Sequence, residues 1–137
     1  MRSSLWKNIG ILWVLVFIAA TTAPWTNFQP NPTNWHRINW VPYAHIFWGR
    51  SILNWDVLQN LVLYMPLGYC YVKSFPSASR SLLFLVGIFA CALSLVTEAA
   101  QVFQPARFPS ATDVVNNIFG ALVGAGFGRW CDIKSEK

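Results

Sequence analysis

Residues 81–102 read SLLFLVGIFACALSLVTEAAQV, and this stretch decides the fold. From Leu82 to Val96 it holds no charged side chain. About 20 apolar residues in a helix span the hydrocarbon core of a bilayer. A backbone in lipid must satisfy its own hydrogen bonds, which here means a helix. Near the end of the run stands Glu98, with Gln101 one turn later on the same face. A carboxylate inside a membrane helix is costly, so it marks a site or a partner pair.

Three more apolar runs lie outward of this one, at residues 9–23, 55–72 and 114–130. The chain has 137 residues, 55% hydrophobic and only 11% charged, which excludes an ordinary soluble domain. The expected architecture is an all-α integral membrane protein of four transmembrane helices, forming one domain over residues 1–137. Arg2 and Lys7 precede the first run, and Lys73 and Arg80 separate the second from the third. Arg129, Lys134 and Lys137 close the chain. Only Arg37, Arg50 and Arg107 fall on the other side of the membrane. The positive-inside bias then predicts a multi-pass protein of the cytoplasmic (inner) membrane with both termini in the cytoplasm. The net charge of +5 follows from this topology and from anionic lipid headgroups, with no nucleic acid partner implied. A second reading treats the first run as a cleaved signal peptide, since Lys7 precedes a short apolar stretch ending in small residues. Pro24 follows its one plausible cut, after Ala23.

Two stretches read almost alike: Arg50-x5-Asp56-Val57-Leu58-x-Asn60 and Arg107-x5-Asp113-Val114-Val115-x-Asn117. Each opens a long apolar run from the outer side. The repetition predicts two parallel-repeat helical hairpins related by an axis along the membrane normal. Glu98 and Gln101 have no polar counterparts, the equivalent positions being Val41 and Ala44. At about 1.5 Å per residue, Glu98 lies roughly 25 Å from the inner edge of a core about 30 Å thick. Asp56 and Asn60 share one helical face, as do Asp113 and Asn117. Together with Gln101 and Arg107, these residues are expected to converge at the depth of the outer leaflet.

Each also has a structural reading. Ser110-x-x-Asp113 ahead of an apolar run is a capping-box pattern, and Asn54 and Asp56 can cap the second helix in the same manner. Arg107 could pair with Glu98 to hold the outer loop down, and Asn60 and Asn117 could bridge helices. Gly120-x3-Gly124-x3-Gly128 lines one face of the fourth helix and predicts close helix approach. Pro66-x-Gly68 loosens the second helix, whose freed carbonyl then needs a donor from a neighbour.

The longest connection, residues 24–54, contains Trp25, Trp35, Trp40 and Trp48, with Trp55 at its border. It reads as an aromatic anchor belt at the headgroup zone or as a lid over a ligand, with a surface helix expected over residues 43–53. The inner loop, residues 73–80, contains Pro76 and reads as a turn. Cys70, Cys91 and Cys131 do not form a disulfide framework, and His36 and His45 have no metal-binding spacing. No cofactor is expected.

Asp56-x3-Asn60-x3-Tyr64-x-Pro66-x-Gly68, Glu98-x-x-Gln101, Arg107 and Asp113-x3-Asn117-x-x-Gly120-x3-Gly124 together resemble the VanZ-like family. Tyr64 stands where that family usually has another aromatic, often Phe. The family is named for a determinant of resistance to teicoplanin, a glycopeptide with an acyl tail that acts outside the cytoplasmic membrane. The resemblance implies a cell-envelope role and antibiotic resistance without supplying a reaction. The expected partners are membrane lipids and an envelope amphiphile or lipid-linked precursor. Its head would bind at Glu98, Gln101, Arg107, Asp113, Asn117, Asp56 and Asn60. A membrane enzyme acting on a lipid, a transporter using Glu98, and a purely structural bundle are the competing readings. No catalytic residue is assigned, and these residues do not fix an oligomeric state.

Overall fold

The computed structural model describes residues 2–32, 34–44, 55–75 and 81–135. The four apolar runs form four α-helices: α1 (Arg2–Thr22), α2 (Trp55–Ser74), α3 (Ser81–Gln101) and α4 (Ala111–Ser135). Two 3-10 turns, Trp25–Asn27 and Trp35–Arg37, lie between α1 and α2. No strand is present among the described residues beyond a single bridge between Asn39 and Ser110. The surface helix expected over residues 43–53 falls, beyond Ala44, outside the described residues, as do Arg50, Asn54 and most of the inner loop.

Two helices, at Ser3–Thr22 and Ser81–Gln101, are long and apolar enough on their own to cross a membrane. The other two carry charged and amide side chains among their apolar residues, Asp56, Gln59, Asn60 and Lys73 in α2 and Asp113, Asn116, Asn117 and Asp132 in α4. The central unit is this α2–α4 pair, which runs parallel. Gly120 lies against Leu61, Gly124 against Met65, and Gly128 against Tyr69, stepping four residues along each helix. Lys73 and Asp132 continue the same register as an ion pair at the far end. A Cβ added at Gly68 would collide with the carbonyl oxygen of Ala121, one at Gly120 with that of Leu61, and one at Gly124 with that of Met65. The expected glycine face is therefore a backbone-to-backbone contact. Gly126 looks the other way and faces open space.

Helix α3 packs on α4, and α1 packs on α2. The core gathers Phe17, Tyr64, Val72, Leu82, Val86, Ala90, Ala121 and Ala125 from all four helices. Phe17 meets Tyr64 edge to face, with ring centroids 4.8 Å apart. Trp13 Nε1 donates to the Leu63 carbonyl oxygen at 3.0 Å. The bond falls one residue beyond Val62, whose carbonyl loses its helical donor at Pro66, so it ties α1 to the loosened turn at a different carbonyl from the one the sequence singled out. Ile11, Leu12 and Leu15 of α1 and Phe84, Leu85 and Ile88 of α3 point outward as an apolar exterior.

Candidate functional site

The end of the bundle where α1 and α3 finish and α2 and α4 begin is roofed by two loops joined to each other. Gln29 N–H donates to the Phe103 carbonyl at 2.9 Å, and Asn34 N–H to that of Val102 at 3.2 Å. Asn39 N–H donates to Pro109 at 3.0 Å, and its carbonyl accepts from Ala111 N–H at 2.9 Å. Asn34 is buried, and its amide donates to the carbonyls of Gln104 and Arg107. Gln104, also buried, reaches back to the Thr22 carbonyl at the end of α1. Tyr43 adopts a left-handed backbone with φ of 57°, a strained conformation for a bulky residue. Two bonds to α4 hold it there: its N–H donates to Thr112 Oγ1 at 2.8 Å and its hydroxyl to Asn116 Oδ1 at 2.6 Å.

Beneath this roof lies a cavity of about 940 Å³. Asp56, Asn60, Glu98, Gln101, Arg107 and Asp113 line it, so six of the seven site residues expected from sequence share one space. The seventh, Asn117, does not. It is buried and donates from Nδ2 to Ser94 Oγ on α3 at 2.8 Å. Below the cavity the Tyr64 hydroxyl is enclosed beside Ser94 and Thr97, so the bundle interior stays polar for one further turn.

The α4 N-terminus explains how the carboxylates divide their roles. Ser110 Oγ accepts from Thr112 N–H at 3.2 Å, as an N-cap side chain does. In a capping box, Asp113 would return to accept from Ser110 N–H. Glu98 takes that bond instead, with Oε2 2.7 Å from Ser110 N. The cap is completed from α3, and Asp113 is released to face the cavity. There Asp113 Oδ1 accepts from Asn60 Nδ2 at 2.7 Å, linking the first motif copy to the second. Glu98 and Arg107 form no direct ion pair, and the alternative that the pair pins the loop is not what holds it. The backbone bonds between the two loops do so. Arg107 is exposed at the cavity rim.

Arg37 also lines the cavity, although nothing in its sequence context singles it out. Its guanidinium lies 4.2 Å from the Phe108 ring centroid, a cation–π contact. Trp25, Trp35 and Trp40 are exposed and line no part of this space, whereas Trp55 does. Trp48 lies outside the described residues. Among the described residues no cluster of His, Cys, Asp and Glu is arranged to hold a metal ion. The cysteines Cys70, Cys91 and Cys131 are free.

The arrangement offers charge of both signs, amide donors and acceptors, and apolar walls from Ala20, Val62 and Leu63. Comparison with known proteins gives one family, described as VanZ/LLP1, whose model matches residues 7–132. No curated protein and no solved structure matches the chain.

Proposed function

The chain belongs to the VanZ/LLP1 family, and from that premise we propose a four-span protein of the cytoplasmic membrane that binds the head of an envelope amphiphile on its outer side. Both termini then lie in the cytoplasm. Lys73, Arg129 and Lys134 sit at the inner end, with Arg37 and Arg107 at the outer. The two motif copies open parallel helices from the same side, as two hairpin repeats would.

The observation that carries the reading is the cavity, which gathers Asp56, Asn60, Glu98, Gln101, Arg107 and Asp113 around one space. Arg107 holds an anionic group of the head. Glu98 and Asp113 accept hydrogen bonds or pair a cation, while Asn60 and Gln101 orient what lies between them. The apolar body runs along α1 and α2. Competition for such an amphiphile links the protein to resistance against teicoplanin, whose acyl tail makes it an amphiphile as well. Expression should raise the teicoplanin concentration that stops growth more than that of a glycopeptide without the tail.

Arg107→Ala tests the binding role, because its side chain is exposed and carries no hydrogen bond among the described residues. Purified with native lipids, the variant should retain less of an anionic amphiphile than the wild type. Equal retention rules that role out. An impermeant thiol reagent applied to intact cells checks the topology, in a background without the native cysteines. It should label a cysteine placed at Ala106 and spare one placed at Lys134.

A further inference from the structure

Two of the three carboxylates of the cavity are answered by neutral donors: Asp113 receives the Asn60 amide and Glu98 the Ser110 N–H. Asp56 is exposed at the head of α2, and both Asp56 and Glu98 lie within electrostatic reach of Asp113. Arg107 lies within electrostatic reach of Glu98 but forms no ion pair with it. The ion pair among the described residues, Lys73–Asp132, is at the opposite end of the bundle. Carboxylates gathered in a partly buried space repel one another, and a neutral donor leaves that charge in place. A cation brought by the ligand removes it.

The rim has the opposite sign. Arg37 lies over the Phe108 ring, and its guanidinium donates at 3.4 Å to both Asn34 Oδ1 and the Pro105 carbonyl. Arg107 also lines the cavity, and its carbonyl accepts from the same Asn34 side chain. Guanidinium groups suit phosphate because their paired N–H donors match its oxygens. A quaternary ammonium would call for a cage of open aromatic faces. Among the described residues the aromatic lining is Trp55 and Phe108, and Arg37 already covers Phe108. Carboxylates only accept, and so favour a primary ammonium, which has three protons to give.

We propose that the cavity is built for a zwitterionic head of the ethanolamine-phospholipid class, its primary ammonium among Asp56, Glu98 and Asp113 and its phosphate at Arg37 and Arg107. The proposal rests on the amphiphile reading above and names the head that reading leaves open. A volume of about 940 Å³ lies toward the upper end of the roughly 300–1,000 Å³ of ligand cavities. The space therefore takes the head with part of the glycerol body.

The test is native mass spectrometry of the full chain in detergent. It is titrated with phosphatidylethanolamine, its N-acetylated form, phosphatidylglycerol and soluble glycerophosphoethanolamine. N-acetylation removes the ammonium and keeps the phosphate and chains. Phosphatidylethanolamine is expected to bind about tenfold more tightly than the N-acetylated lipid, equivalent to about 1.4 kcal/mol. Asp113→Asn, whose amide oxygen can still accept from Asn60, should bring that ratio close to one. If this variant fails to fold, Asp56→Asn at an exposed position makes the same comparison, with the ratio again falling. Equal binding of the N-acetylated lipid or of phosphatidylglycerol by the wild type overturns the ammonium assignment and leaves the amphiphile reading standing. Binding of glycerophosphoethanolamine without either lipid supports the head chemistry and overturns the amphiphile. No binding of any of the four overturns both.

Discussion

The two copies of the motif begin alike and end differently. Asp56 and Asp113 both open a helix onto the cavity, but Asp56 is exposed and Asp113 half-buried. One turn on, Asn60 reaches across to Asp113, whereas Asn117 turns to Ser94 on α3 and leaves the cavity. Four residues advance a helix slightly more than one turn, so each Asn is rotated about 40° from its Asp. The rotation is the same in both copies. The neighbours differ: Asn117 lies against α3, while Asn60 faces the cavity. The same sequence pattern thus supplies a wall of the site in one copy and a tie between helices in the other.

The comparison breaks most completely if the helices bearing the two copies cannot meet. Gly124→Leu would drive a side chain into the Met65 backbone, at a cost of about 3 kcal/mol or more. Chemical unfolding in detergent should register the loss, and Gly126→Ala, facing open space, should leave the curve in place. A stable Gly124→Leu protein would mean that α2 and α4 do not touch there. Next in size is Asn117→Ala, which removes the buried bond to Ser94 and should cost about 1 kcal/mol. Its lipid complement should match that of the wild type.

Asn60→Ala sharpens the contrast by reversing that outcome. Losing its bond to the half-buried Asp113 should cost about 1 kcal/mol, as for Asn117, while retention of the bound amphiphile falls severalfold. If retention held in the Asn60 variant and fell in the Asn117 variant, the assignment of the two copies would be inverted. The smallest effect belongs to Asp56→Asn. Its exposure limits the change in retention to about two- to threefold, equivalent to about 0.5 kcal/mol. Retention within error of wild type would remove Asp56 from the site.

Much of this was legible in the sequence because membrane helices have few ways to hide polar groups. Glu98 and Gln101 stand out in an apolar run, and the two motif copies announce a shared depth. The glycine spacing of α4 foretold its contact face, whereas the donor from α1 meets Leu63 rather than the Val62 carbonyl freed by Pro66. What stayed hidden depends on contacts between distant segments. Arg37 reads as one more loop cation until the loop is seen stitched to residues 102–111. The buried amides of Asn34 and Gln104 bind backbone carbonyls, which carry no sequence signal. The capping box at Ser110 was correctly placed, but its acid comes from another helix. Short-range pattern cannot distinguish Asp113 from a carboxylate supplied by α3. The different fates of Asn60 and Asn117 were hidden for the same reason, since they depend on which helix lies alongside.

The central claim is that the cavity between the two copies binds a ligand and is more than the way the bundle is held together. Glu98→Gln tests it most directly, because a glutamine oxygen can still accept from Ser110 N–H and so preserve the α4 cap while removing the charge. Wild-type and Glu98→Gln proteins, purified with native lipids and matched for folding, would be compared by lipid mass spectrometry against their parent membranes. The account predicts a lipid species enriched with the wild type and depleted from the equally folded variant. Identical lipid complements in the two would contradict it and assign the polar cluster to architecture alone.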